Sequence, residues 1–369
     1  MKIKLAVVIP SLTPDGAERV IINILRNINL KKFEVTLILV DKRGGAKELI
    51  PASIPIIQLN VSRVRYSIPK LVKTLNSIRP DIIFSTLGHM NLLLLFSRSL
   101  LRFRHKIIVR EANTPSEDLK KLPLIKRMIF RKLYAWLYPK ADIIVAQCKA
   151  MKMDLVKTFG LDEAKIVHIY NPIDLDYIRR AMVAENPYKN NRINVLAVGR
   201  LTRQKGFDIL IEAFQHVAKV FHDAHLTILG QGELKEELES KVAKLGLSGK
   251  VSFEGFKKNP YPYYRYADVY VLSSRWEGFP NSLLEALACG CKVVATDCKS
   301  GPREILGDNE YGILVPPEDP EALARGIIEA INGENRTKDR AKDFDVKYIV
   351  RQYEEIFEMM VDEDATNLH

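Results

Sequence analysis

Glu277 and Glu285 are separated by seven residues, and the segment that holds them runs Ser273-Ser274-Arg275-Trp276-Glu277-Gly278-Phe279-Pro280-Asn281-Ser282-Leu283-Leu284-Glu285-Ala286-Leu287-Ala288-Cys289-Gly290. Its order reads as a strand ending near Leu272, a Gly-Phe-Pro turn and a helix beginning near Pro280, a residue suited to a first helical position. A helix start leaves N–H groups unpaired. Here they are those of Asn281, Ser282, Leu283 and Leu284, and with the helix dipole they form a site for an anion such as a diphosphate. Glu277, just before that site, can meet sugar hydroxyls, and Glu285, one turn inside the helix, can reach back to a ribose. On spacing alone, two solvated glutamates on an ordinary turn are the plainer reading.

Other residues able to do chemistry also follow apolar runs. Arg200 and Lys205, in Gly199-Arg200-Leu201-Thr202-Arg203-Gln204-Lys205-Gly206, stand at a strand end where they would neutralise a leaving diphosphate. Gly230 and Gly232, in Leu229-Gly230-Gln231-Gly232-Glu233, allow close backbone approach. In the first half, Gly16 offers a backbone N–H after the first apolar run. His89 is a candidate catalytic group, although a lone histidine is more often structural. Glu111 and Asn113, in Arg110-Glu111-Ala112-Asn113-Thr114, are polar groups at a strand end.

Positioning these residues requires an alternation of strands and helices, and the chain supplies it. Near-continuous apolar runs at Leu5–Pro10, Val35–Val40, Asp81–Ser85, Ile107–Arg110, Asp142–Ala146 and Ile166–Ile169 read as parallel strands covered on both faces. After a polar stretch over 179–192 the rhythm restarts with Ile193–Val198, Leu226–Leu229, Val251–Phe253, Val269–Leu272, Val293–Thr296 and Ile313–Val315. A chain of 369 residues exceeds the usual single core. The α/β class therefore predicts two doubly wound, Rossmann-like parallel sheets facing a cleft, with ligands outside the carboxyl ends of the strands. The expected domains are 1–180 and 181–345, with 346–369 a helix packing back on the first.

The Glu277–Glu285 segment, with Gly-Phe-Pro and Glu-Ala-Leu-Ala-Cys-Gly, resembles the signature of the family-4 retaining glycosyltransferases. The loops at Gly199–Asp208 and Leu229–Glu233 are similar to that family's phosphate and glycine loops, in the same order. Pro14-Asp15-Gly16-Ala17-Glu18-Arg19 resembles its Gly-Gly-Ala-Glu-Arg loop, with Asp15 in place of the first glycine. Ala112 stands where many relatives carry a histidine. The resemblance implies a GT-B fold with 1–180 on the acceptor side and 181–345 for the nucleotide sugar, Glu277 on the transferred sugar, Glu285 on the ribose, Glu111 and Asn113 as candidate acceptor ligands, and same-face substitution in which a donor phosphate oxygen helps take the acceptor proton. It also implies a nucleotide sugar, UDP-hexose or UDP-N-acetylhexosamine, as co-substrate, with no further cofactor and no metal required. The acceptor expected is a membrane glycolipid, such as a polyprenyl-diphosphate sugar, in polysaccharide or lipopolysaccharide assembly. An epimerase or hydrolase on the same fold is the nearest alternative.

Charge is unevenly spread. Residues 1–180 carry 32 Lys and Arg against 15 Asp and Glu, and 181–369 carry 24 against 30, within a net +11. A basic first half suggests an anionic surface as partner. Over 119–139, Ile125, Met128, Ile129, Leu133, Trp136 and Leu137 fall at helical spacing and are expected to be core, leaving Lys126, Arg127, Arg131 and Lys132 to meet an anionic leaflet or merely to be solvated. No RNA-binding aromatic signature or zinc spacing supports a nucleic-acid-binding protein. No run is long and apolar enough for a membrane span. The four cysteines form no disulfide framework. The expectation is a cytoplasmic protein, peripheral on the inner face of the membrane.

Overall fold

The structure is a computed structural model that describes residues 2–13, 16–41, 47–188, 192–337 and 339–366, with side chains to 362. The chain divides into two compact units, Met1–Pro172 with Val346–His369, and Ile173–Asp345. The division falls at Pro172 rather than at Arg180, so the Leu175–Ala181 helix belongs to the second unit.

The first unit holds β1 (Ile3–Ile9), β2 (Phe33–Leu39), β3 (Ile56–Gln58), β4 (Ile82–Thr86), β5 (Lys106–Arg110), β6 (Ile143–Ala146) and β7 (Ile166–His168). All pair in parallel, in the order β3-β2-β1-β4-β5-β6-β7. Strand order reverses between β1 and β4, so the loops leaving those two strands diverge and open a crevice at their carboxyl ends. Val346, Ile349, Val350, Tyr353, Phe357 and Met360, spaced for one helical face, complete this core. Phe357 meets Phe33 and Phe84 with ring centroids 5.9 and 5.6 Å apart.

The second unit holds β8 (Asn194–Val198), β9 (His225–Leu229), β10 (Val251–Gly255), β11 (Val269–Leu272), β12 (Val293–Thr296) and β13 (Ile313–Val315), again parallel, in the order β10-β9-β8-β11-β12-β13. Its reversal lies between β8 and β11. Those strands end just before Gly199 and Ser273, the two segments singled out by their chemistry. Asp268 accepts from the Asn194 N–H at 2.7 Å and fixes β11 beside β8.

The apolar runs locate twelve strands to within two residues at either end. The thirteenth, β3, is a three-residue edge strand lying between Pro55 and a left-handed Asn60, too short to show a pattern.

One expectation fails. Within the Leu124–Leu137 helix the buried residues are Tyr134 and Leu137, with Leu133 half-buried, while Ile125 is 74% and Trp136 57% exposed, and Met128 and Ile129 are also exposed. The helix is apolar on more than one side. Stacking decides which side turns inward, because Tyr134 lies between Tyr138 and Phe159, with ring centroids 4.5 and 4.8 Å away.

Candidate active site

At the β8–β11 switch point, Lys205 Nζ lies 2.6 Å from Glu277 Oε1. Ser274 Oγ donates to the same oxygen at 2.6 Å. Both members of the ion pair are largely buried. Burial makes a charge pair costly unless it is well hydrogen-bonded, and here the loops that carry the pair are tied together. Ser273 Oγ donates to the Lys205 carbonyl at 2.8 Å, the Arg275 N–H to the Gln204 carbonyl at 2.8 Å, and Gln204 Nε2 to the Trp276 carbonyl at 3.0 Å. The Arg275 guanidinium grips both oxygens of Asp208 at 2.8 Å. Burial pushes the Asp208 carboxyl up, but the Arg275 hydrogen bonds and charge outweigh it and hold the group below its usual value. Arg200 is exposed and, among the described residues, makes no ion pair. One cation of the expected phosphate pair is thus open, and the other is held on Glu277.

The helix that follows runs Asn281–Ala288 with Pro280 as N-cap, not as first helical residue. The N–H groups of Leu283 and Leu284 both donate to the Pro280 carbonyl, at 3.1 and 3.3 Å. Two of the four N–H groups expected to face an anion, those of Leu283 and Leu284, are therefore engaged within the first turn. Ser282 Oγ accepts from Tyr270 at 2.8 Å, and Glu285 Oε2 from Tyr264 at 3.2 Å. Glu285 is buried, as is Phe279, whose ring meets Phe344 edge-on at 5.6 Å. Gly278 lies against Gly301, where a Cβ would come 2.7 Å from the Gly278 carbonyl.

The glycine loops pack on one another. A Cβ on Gly230, whose φ is +139°, would fall 1.8 Å from the Gly199 carbonyl oxygen, and one on Gly232 would fall 2.3 Å from that of Leu201. The chain itself is the close neighbour that requires these glycines. Gly199 in turn lies against the Lys205 side chain, 3.1 Å from where its own Cβ would be.

In the first unit the candidate residues gather at the ends of β1, β4 and β5. Gly16 opens the helix that follows β1, and Asp15 beside it lies outside the described residues. His89 is the second residue of the Gly88–Ser97 helix and exposed, and partial desolvation holds its pKa below the ordinary histidine value. Leu87, which leads into it, has φ +75°, a strained conformation for a non-glycine residue. Asn113 donates to Asp118 at 2.8 Å.

Glu111 is 3% exposed. Its Oε1 accepts from Tyr138 and, at 3.3 Å, from Asn91 Nδ2. Burial pushes its pKa up to about 8, with Asn91 acting against the shift. Between the unfolded value near 4.5 and about 8 the folded state therefore holds one more proton than the unfolded state, so stability falls as pH rises through that window. The slope is at most about 1.4 kcal/mol per pH unit. Glu111→Gln, which reproduces the protonated acid, is expected to flatten the decline in unfolding midpoint between pH 5 and 8. An unchanged slope would show that Glu111 ionises freely in the folded protein.

Several partners had no sequence signal. Asn91 accepts from Ser85 at 2.7 Å and donates to the Arg110 carbonyl at 2.9 Å, joining β4 to β5 beneath Glu111. Tyr138 reaches Glu111 in the first unit, and Tyr264 and Tyr270 reach Glu285 and Ser282 in the second. Ser274 lies three residues before Glu277, but nothing in its spacing marks it as the partner of that carboxylate.

Comparison with known proteins agrees with this geometry. The family described as Glycosyltransferase Family 4 matches residues 14–177, and Glycosyl transferases group 1 matches 179–344. The chain is 34% identical to the Campylobacter jejuni N-acetylgalactosamine-N,N'-diacetylbacillosaminyl-diphospho-undecaprenol 4-alpha-N-acetylgalactosaminyltransferase, over 94% of this chain and 97% of that one. It is 25% identical to the alpha-1,4-N-acetyl-D-galactosaminyltransferase of GalNAc-alpha-(1->4)-GalNAc-alpha-(1->3)-diNAcBac-PP-undecaprenol from the same organism, over 95% and 97%. Its fold is similar to that of Anabaena HepE in complex with UDP-glucose, with TM-score 0.79 and 19% identity over 96% and 99% of the two chains. With two parallel sheets of seven and six strands, and a cation–glutamate pair at the switch point of the second, the chain belongs to the family-4 glycosyltransferases of GT-B fold.

Proposed function

We propose that this glycosyltransferase moves one sugar from a UDP-sugar, a UDP-hexose or UDP-N-acetylhexosamine, to a membrane glycolipid, with retention of configuration. The observation that carries the reading is the Lys205–Glu277 pair between the ends of β8 and β11, with Arg200 open beside it. A carboxylate suited to sugar hydroxyls and a cation suited to a diphosphate are thereby held at one point, and exposed Arg200 adds a second cation to the Lys205 loop. The bond from the sugar's anomeric carbon to the diphosphate breaks while the acceptor oxygen bonds to the same face of that carbon. The acceptor proton passes to a phosphate oxygen of the leaving group. Arg200, Lys205 and the N–H groups at Asn281 and Ser282 stabilise the charge that grows there. Glu277 holds the transferred sugar, Glu285 the ribose, and the chemistry invokes no metal.

The names of the two Campylobacter relatives, both specifying an undecaprenol-linked diphosphate glycan, support a polyprenyl-diphosphate sugar as acceptor and N-acetylgalactosamine as the first donor to try. Among the described residues no helix is long and apolar enough to cross a membrane. The reading places the protein on the cytoplasmic face, its basic first half toward anionic lipid, in surface-glycan assembly.

A panel of nucleotide sugars assayed for protection against thermal unfolding, followed by transfer to polyprenyl-diphosphate glycans in detergent, tests it. The expected product carries the new sugar α-linked by NMR coupling. Sugar release without transfer, or a β linkage, would sink the proposal.

A further inference from the structure

Resting on the reading of a membrane glycolipid as acceptor, we infer that the exposed side of the Leu124–Leu137 helix lies in the plane of an anionic membrane surface and inserts its apolar side chains among the lipids. Basic charge alone would let the first half hover over a leaflet, whereas this face is built to enter one. At 3.6 residues per turn, Ile125, Met128, Ile129, Lys132 and Trp136 share one side of the helix. The four apolar members are between 52% and 74% exposed. Leu124, at the helix start, is also exposed. An isolated exposed leucine needs no explanation, but contiguous large apolar side chains on one helix mark an interaction surface.

Charge identifies what covers it. From Leu119 to Ala141 the sequence holds seven Lys and Arg and no Asp or Glu, and although Lys120 and Lys121 pair with Glu117 and Asp118, Lys126, Arg127, Arg131, Lys132 and Lys140 are left to face a partner. Lys126, Arg131 and Lys132 are exposed, and Lys132 sits within the apolar face, where its stem can lie along the chains with its ammonium at the headgroups. Trp136 carries Lys140 Nζ 4.2 Å above its ring, an aromatic–cation pair suited to the headgroup level. The patch does not end there. The Arg98 guanidinium reaches the Lys140 carbonyl and Asp142, and the residues flanking Arg98 include exposed Phe96 and Leu100. An apolar centre ringed by cations matches an anionic leaflet, with the helix about 5–10 Å deep at the boundary of headgroups and chains.

The full-length protein would be floated with phosphatidylcholine vesicles with and without phosphatidylglycerol. Ile125→Gln/Met128→Gln/Ile129→Gln is expected to lower partitioning onto the anionic vesicles about tenfold or more. It should keep the wild-type unfolding midpoint and nucleotide-sugar protection, because all three side chains are exposed. Trp136 fluorescence is expected to be quenched by lipids brominated on the acyl chain, and Trp136→Phe to abolish that quenching. If Lys126→Gln/Arg131→Gln/Lys132→Gln loses binding while the apolar variant binds like wild type, insertion is overturned and a purely electrostatic surface remains. A concentration-dependent dimer, lost in the apolar variant and unaccompanied by vesicle binding, would assign the face to a second copy and overturn the inference. Transfer to acceptor in detergent separates the two levels: its loss in wild type removes the glycolipid reading, whereas its persistence without vesicle binding removes the insertion alone.

Discussion

Lys205→Ala is expected to lower kcat/KM for sugar transfer by roughly 10²–10³-fold, the range found when one preorganised group stabilising a transition-state charge is removed. Two losses combine in this variant. The leaving diphosphate forfeits a cation, and Glu277, largely buried, forfeits the partner 2.6 Å from its Oε1. An uncompensated buried carboxylate is costly, so Glu277 will turn from the sugar. Lys205→Arg keeps the charge but not the geometry, because a planar fork replaces a point charge against Gly199. It is expected to recover only part of the activity. Glu277→Gln keeps an acceptor for Ser274 while removing the ion pair, and should bind UDP nearly as well as wild type but transfer poorly. Steady-state kinetics with calorimetric UDP binding separates these outcomes. Full transfer by Lys205→Ala would remove the β8–β11 switch point as the site.

The second large effect is on stability. Gly230→Ala is expected to cost roughly 3–5 kcal/mol, combining a conformation disfavoured for a side chain with overpacking against backbone. The obstacle is the Gly199 carbonyl oxygen, 1.8 Å from the new Cβ, and no rotamer change can move it. The loop after β9 must then retreat from the loop after β8, so Arg200 and Lys205 lose their setting as well. Urea unfolding would show a lowered midpoint, with nucleotide-sugar protection reduced in step. A loss under 1 kcal/mol would mean that the two loops are less tightly joined than their geometry indicates.

What the sequence revealed follows from which interactions are local. Val269–Leu272 and Val293–Thr296 are apolar throughout because a parallel strand is buried on both faces, so their limits could be read directly. The reversal between β8 and β11 then places Gly199 and Ser273 together with no further information. Edge strand β3 has one neighbour and half-buried residues, so its composition shows no such run. Partners supplied from a distance were also unreadable. Nothing near Glu285 predicts Tyr264, and nothing near Glu111 predicts Tyr138. The Leu124–Leu137 helix misled for a related reason. Periodicity says which residues share a face, but the choice between two apolar faces is made by Phe159 on another helix. The helix begins near Pro280 as read, with Pro280 its N-cap, and which N–H groups its first turn engages is not legible in the sequence.

The helix that closes the first core is made after the whole of the second unit. Ile173–Asp345 is continuous and can fold as soon as it emerges, whereas the first unit must wait for Tyr353 and Phe357. At roughly 5–20 residues per second, its partly built core stays uncovered on the order of ten to thirty seconds during synthesis. The half of the enzyme that begins first is finished second, and in that interval β1, β4 and the unsheltered rings of Phe33 and Phe84 are the surfaces a chaperone would have to cover.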